Sequence, residues 1–182
     1  MSFSVLLDTN VLVPAGLNDL LLGLAHEGTF EPRWSAQILV ELERYLVRSR
    51  VPEAVIEQRL ETMRSQFADA PVENYQALEA KLSCADPNDN HVLAAALIGK
   101  VATLVSFNAD DFPAYVIERF GLELTHPDDF LAAQFELNPE VMQQVLAHLI
   151  SRWPDNYSSL AQLADAWQDS LPRFSAMLLE QV

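Results

Sequence analysis

The sequence predicts an α/β protein built on a central, mostly parallel sheet, with a helical extension at its C-terminal end. Three observations carry this reading. Val5-Leu6-Leu7, after Phe3, is an apolar run without alternation, the pattern of a strand buried on both faces. A second run, residues 101–105, has the same character, and helical spacing fills much of the chain between the two. From Pro127 onward the spacing is wholly helical.

The elements follow in order. Residues 18–26 carry Leu20, Leu21, Leu22 and Leu24 in a compact helix that Gly28 ends. Residues 30–34, short and partly aromatic, suit a second strand. Ser35 reads as the N-cap of a helix in which Ile38, Leu39, Leu42, Leu46 and Val47 recur at helical spacing. Pro52 opens another, with Val55, Ile56, Leu60, Met63 and Phe67 on one face, and Pro71 closes the helical pair. A loop holding Asp86-Pro87-Asn88-Asp89 precedes an alanine-rich helix over 91–98 that stops at Gly99. After the strand at 101–105 comes a polar exit loop, 106–113, and a short last strand at 122–125. Helices over 128–135, 139–153, 158–167 and 171–179 complete the chain. This divides it into an α/β domain, 1–133, and a helical extension packed on it, 134–182, whose apolar content also suits a dimer or partner surface.

Composition narrows the function classes. The chain has 182 residues, half of them hydrophobic, enough for a substantial core. No apolar run reaches the roughly 18 residues of a membrane span, the N-terminus lacks a leader pattern, and Cys84 is the only cysteine. A soluble cytoplasmic protein is expected. The net charge of −15 argues against a protein that coats nucleic acid, because phosphate backbones are repelled at long range. It is compatible with a carboxylate cluster that binds a divalent cation.

Asp8 ends the first buried strand, and open parallel sheets place their ligands at the carboxyl edge. Further acids lie at element boundaries: Glu41 early in its helix, Asp86 and Asp89 around the start of the alanine-rich helix, and Asp110 and Asp111 with Asn108 in the exit loop. Hard divalent cations prefer such oxygen ligands. Taken singly, each has a plain structural reading. Asp8 and Asp89 suit helix caps, Asp86-Pro87 a turn, Glu41 a surface position, and Asp110 and Asp111 loop acids or a cap. Arg33, Arg44, Arg48, Arg50, Arg59 and Arg64 put six of the eleven basic residues in one third of the chain. They read as a solvated helical surface pairing with Glu43, Glu57 and Glu61, or as a basic rim to the cleft.

In order, the motifs resemble the PIN-domain ribonucleases, in particular VapC-type toxins. The chain opens with Leu7-Asp8-Thr9-Asn10-Val11-Leu12 and places Leu39-Val40-Glu41-Leu42 early in a helix after a short second strand. Asp86-Pro87-Asn88-Asp89-Asn90-His91-Val92-Leu93-Ala94-Ala95-Ala96 is similar to a subgroup's D-x-x-D-R-H-V-L-A-A-A. Ser106-Phe107-Asn108-Ala109-Asp110-Asp111-Phe112-Pro113 is similar to its T-x-N-x-x-D-F-P, and Pro127-Asp128-Asp129-Phe130-Leu131 to its closing element. The resemblance covers about residues 3–133 and implies a PIN-like three-layer α/β/α fold. It implies an endoribonuclease that uses Mg²⁺ or Mn²⁺ and leaves a 5′-phosphate and a 3′-hydroxyl.

Asp8, Glu41 and Asp89 would be the catalytic and metal-holding acids, with Asn108 or Asp111 completing the set. Thr9, Asn10, Asp86 and Ser106 would assist as helpers, and Arg44 and Arg48, four apart on one helix face, would contact RNA. His91 reads as a structural donor. The implied partners are an RNA substrate, a small antitoxin of DNA-binding type (helix-turn-helix or excisionase-like) and a second copy of the chain. The chain departs from the family in two places: Asn108 stands where most members have aspartate, and Asn90 where the subgroup has arginine. A catalytically silent PIN-like domain that acts by binding protein or RNA is the alternative. A phosphatase with an aspartate nucleophile fits less well, since Asn10 stands at the second acid of D-x-D-x-T.

Overall fold

The computed structural model describes residues 3–181, so residues 1–2 and 182 of the two expected regions lie outside the described residues. Five strands, β1 (Ser4–Leu7), β2 (Glu31–Ser35), β3 (Pro71–Val72), β4 (Thr103–Val105) and β5 (Glu123–Thr125), form one sheet in the order β3-β2-β1-β4-β5. Every pairing is parallel, where the sequence predicts a mostly parallel sheet. β1 is central: Leu6 lies opposite Leu104 on one side and Arg33 on the other, and Val5, Leu6 and Leu7 are fully buried. An unbroken aliphatic run is what such a strand needs, because both of its faces are covered.

Helices α1 (Thr9–Leu12) and α2 (Ala15–His26) join β1 to β2, and α3 (Ala36–Arg48) and α4 (Glu53–Gln66) join β2 to β3. Helices α5 (Gln76–Glu79) and α6 (Asn90–Ile98) return the chain to β4, and α7 (Ala114–Phe120) leads to β5. Right-handed crossovers that run one way along the sheet cover one face, and those running back cover the other, which gives the three-layer α/β/α arrangement. The chain leaves β1 toward β2 and returns on the opposite side of β1 as β4. The carboxyl ends of β1 and β4 therefore flank the topological switch point, where open α/β sheets form their ligand crevice.

Several elements differ from the expectation. Pro71 opens the edge strand β3, a position that tolerates its missing N–H, instead of only ending a helical pair. The exit loop contains a 3-10 turn, Ala109–Asp111, and α7 follows it, ended by Gly121 at φ 62°. Another 3-10 turn, Pro87–Asp89, precedes α6.

The C-terminal part is helical as expected: α8 (Pro127–Leu137), α9 (Pro139–Arg152), α10 (Leu160–Trp167) and α11 (Pro172–Leu179). α9 packs on α2, and α11 packs on α8 and α10. Trp167 stacks on Phe174, Phe135 meets Phe174 edge-on, and Phe130 meets Phe30 edge-on at 5.2 Å. Much of the apolar content expected of a partner surface is thus buried within the chain. The half-closed carboxylate of Asp128 accepts the Phe174 N–H (2.8 Å) and the Arg173 N–H (3.0 Å), tying the start of α11 to α8. Among the described residues, no helix is long and apolar enough to cross a membrane.

Candidate active site

β1 delivers Asp8 to the switch point. Its N–H donates to the Val105 carbonyl (3.1 Å), so the sheet pairing continues one residue past the strand and fixes the backbone that bears the acid. Asp8 caps α1: Oδ1 accepts the Thr9 N–H at 2.6 Å. Capping and membership of the site are therefore the same geometry, not alternatives. Oδ2 accepts from Ser106 Oγ (2.7 Å) and Asn10 Nδ2 (2.8 Å). Ser106, which leaves β4, is fully buried, and its Oγ also accepts from Asn10 Nδ2 and from the Asn108 N–H. Asn10 Oδ1 accepts the Phe107 N–H (3.1 Å), closing the link between the two strand exits.

Thr9 extends the network to α3. Its Oγ1 donates to Glu41 Oε2 at 3.0 Å. Glu41 Oε1 accepts from His91 Nε2 at 2.9 Å and from Gln37 Nε2 at 3.3 Å. His91 is buried and its Nδ1 finds no partner, consistent with the structural-donor role the sequence suggests for it. Gln37 is missed by the sequence reading, although its place one turn before Glu41 on α3 is a signal for such a contact. Asp89 begins α6 without capping it by its side chain, which leaves the carboxylate for other work. Asp86 makes the turn: its Oδ1 accepts from both the backbone N–H and Nδ2 of Asn88. Asn90 accepts the Cys84 N–H (2.8 Å), so at this position it anchors the loop that leads into the site.

Electrostatics show which acids converge. Burial pushes the Asp8 carboxyl up, against the hydrogen bonds from Ser106 and Thr9, and the Glu41 charge adds to the rise. Asp89 is pushed up to about 6, by burial first and then by the charges of Asp8, Asp86 and Asp111. Burial also pushes Glu41 up, but the hydrogen bond and charge of His91, with the bonds from Thr9 and Gln37, outweigh it and hold this carboxyl below its usual value. Cys84, buried beside Asp89, Asp111 and Asp86, is pushed up to about 11, an inert thiol.

Not every expected residue joins this group. Asn108 is exposed, and only its backbone N–H enters the network. Asp111 is half-buried within reach of Asp89 and Cys84. Arg44 and Arg48 are exposed on α3, on the same stripe as Glu41 but about 4.5 and 10.5 Å further along the helix. The six arginines form no single rim. Arg33 donates to Glu31 and to the Asp69 carbonyl, and Arg59 is turned inward onto the Leu12 and Val13 carbonyls that end α1. Among the described residues, no ion pair joins the arginines of α3 and α4 to Glu43, Glu57 or Glu61.

Residues 4–110 match the family model of the PIN domain. The chain belongs to the PIN-domain family. Residues 127–180 match a second model, the VapC50 C-terminal domain, so both the α/β part and the helical part of this PIN protein have VapC-type counterparts. A Mycobacterium tuberculosis protein named "Putative ribonuclease VapC50" is 32% identical over 88 residues, 48% of this chain and 52% of that relative. The chain thus spans about half the length of the relative it matches. No solved structure matches it.

The donor set of this PIN domain fits a hard divalent ion in kind. It is all oxygen, and its carboxylates raise one another's proton affinity, a repulsion that a cation relieves. The side chains are not arranged as a finished cage: among the described residues, no three His, Cys, Asp or Glu groups stand ready to hold an ion together. Glu41 is drawn to His91, and Asp8 is occupied by three donors of its own.

Proposed function

We propose that the protein is a metal-dependent endoribonuclease of VapC type, the toxin of a type II toxin–antitoxin pair. The observation that carries the proposal is the continuous hydrogen-bonded chain from Ser106 through Asp8 and Thr9 to Glu41 and His91 at the β1–β4 switch point, with Asp89 within electrostatic reach. The name of the Mycobacterium relative, a ribonuclease, supports it. In this reading the α/β region 1–133 carries the chemistry and the helices of 134–182 buttress it.

Asp8, Glu41 and Asp89, with Asn108 or Asp111, would hold Mg²⁺ or Mn²⁺. The chemistry such an ion supplies is a more acidic water and neutralisation of charge on the phosphate. The protein's own part is positioning. Ser106 and Asn10 keep Asp8 in one orientation, and Thr9, Gln37 and His91 keep Glu41 ionised and aimed at the same crevice. Fully buried Leu7 and Val105 beneath the crevice keep water out from below. Hydrolysis puts the hydroxyl of water on phosphorus and its proton on the departing O3′, leaving a 5′-phosphate and a 3′-hydroxyl. Exposed Arg44 and Arg48 lie on the Glu41 stripe and would meet RNA phosphates beyond the scissile one. A small DNA-binding antitoxin and a second copy of the chain complete the proposed set of partners.

The test is cleavage of structured RNAs with Mg²⁺ or Mn²⁺, comparing wild type with Asp8→Asn, with end-labelling of the products. Cleavage by wild type alone, leaving 5′-phosphates, is expected, together with a Tm that millimolar Mn²⁺ raises in wild type but not in the variant. Cleavage retained by Asp8→Asn refutes the assignment. Absence of cleavage with either metal favours the silent, binding-only domain.

A further inference from the structure

On the α2–α4–α9 side of the molecule lies a groove of about 870 Å³ that the carboxylate site does not use. Its walls are apolar: Leu22, Leu46, Val145 and Leu149 are buried along it, and Tyr45 and Val55 stand half-exposed on its rim. A volume of this size holds a ligand of several side chains. Two polar groups in the lining lack partners. Asn18 is 1% exposed among the leucines of α2, and its Oδ1 accepts nothing. Arg59 gives its terminal N–H groups to the Leu12 and Val13 carbonyls, which leaves its buried Nε–H unpaired. Each such group costs stability unless something fills it, on the order of 1–3 kcal/mol in general.

The charge at this end of the groove is also unbalanced. Asp19 faces Arg59 and Arg152, and its Oδ2 already accepts from Trp153 Nε1 at 3.0 Å. One carboxylate therefore serves two guanidiniums, on a chain whose net charge is −15. Glu27, the other acid in the lining, lies eight residues further on, about 12 Å along α2. Burial holds the Arg59 guanidinium below its usual value, as befits a cation short of counter-charge. Gln58, Gln66 and Gln144 along the same groove offer amides to a polypeptide backbone, where an alkyl chain would leave them idle.

We propose that this groove is a second binding site, for an apolar peptide segment of a partner protein that carries one carboxylate, received by Arg59, while Asn18 accepts one of its backbone N–H groups. The site is independent of the nuclease reading, because none of the carboxylates at the switch point lines it. Arg59 also joins the groove to the far end of α1, the helix that Asp8 caps, and the ligand takes the Nε face while the terminal N–H groups stay on α1.

The experiment is titration calorimetry of the full chain with an N-acetylated hexapeptide of alternating leucine and alanine, as the free acid and as the C-terminal amide. The free acid is expected to bind wild type about ten-fold or more tightly than the amide, the discrimination of one charge-assisted hydrogen bond. Arg59→Met erases that preference. So does Val55→Glu, which puts a competing carboxylate one turn before Arg59 on an exposed position of α4 and tests the proposal even where Arg59→Met does not fold. Asn18→Leu weakens both peptides alike. The proposal is overturned by binding of neither peptide to wild type, by equal binding of the two, or by a preference that survives Val55→Glu.

Discussion

Replacing Ser106 by alanine removes the shortest side-chain hydrogen bond to a carboxylate buried to 4% exposure, with almost no change in volume. Asp8 keeps the Thr9 N–H and Asn10 Nδ2, so it is weakened and not abandoned. A hydrogen bond to a charged group contributes about 1.5–3 kcal/mol. The Asn108 N–H also loses its acceptor, but Asn108 is exposed and water replaces it, so the total stays at about 2–3 kcal/mol. For a chain of this length that lowers Tm by roughly 5–10 °C. The deficit depends on pH, with a definite sign. Burial already raises the folded-state value of Asp8 above its ordinary 3.8, so stability from this group is fullest below 3.8 and is lost as pH rises through the raised value. The Ser106 bond favours the ionised form, so its removal raises the folded-state value further, and the additional loss appears only where Asp8 is ionised. Urea unfolding followed by far-UV circular dichroism at about pH 5 and about pH 8 reads both quantities. A variant within about 0.5 kcal/mol of wild type, or a deficit equal at the two pH values, refutes the account of Asp8 as a buried, Ser106-supported carboxylate.

Three further outcomes follow. Asp89→Asn removes a carboxyl raised to about 6 by burial and by Asp8, Asp86 and Asp111. It should stabilise the metal-free protein at neutral pH by about 1 kcal/mol after allowance for partial exposure. Wild type, but not this variant, should gain that stability as pH falls from above 6 toward 3.8; a lower Tm for the variant at neutral pH counts against mutual repulsion. Asp128→Ala frees two backbone N–H groups at the start of α11 and should cost about 2–4 kcal/mol, with limited proteolysis cutting first near residues 168–175; an unchanged cleavage pattern shows that the cap is not what fastens α11. Gly23→Ala gains about 1 kcal/mol of helix propensity but sets a Cβ 2.6 Å from Val145 Cγ1, so a net loss of about 1–2 kcal/mol is expected, relieved in the double variant with Val145→Ala. A more stable Gly23→Ala contradicts the close α2–α9 contact.

The strands and the acids were legible in the sequence for one reason: β1 and β4 are buried on both faces, so their aliphatic runs have no alternative reading, and whatever follows each must emerge at the switch point. Asp8 and Ser106 are placed by that logic alone. β3 and α7 escaped because their signals are tertiary or mixed. Two residues at a sheet edge form a strand only where β2 offers them partners, and Ala114–Phe120 carries β-branched Val116 and Ile117 that blur a helical pattern despite the Gly121 stop. Glu41 and His91 show the same limit within the site, since they stand fifty residues apart on separate helices and meet only because α3 and α6 both start near the carboxyl edge. Arg59 marks the limit most sharply. Its neighbours in sequence are polar and exposed, which reads as a solvated face, yet α4 is so placed that the guanidinium reaches the end of α1. A helix of four residues leaves most of its carbonyls without partners, and nothing local to α1 supplies one. The residue that completes α1 is therefore chosen by the packing of α4, and a chain read locally assigns that arginine to solvent or RNA when its place is inside the fold.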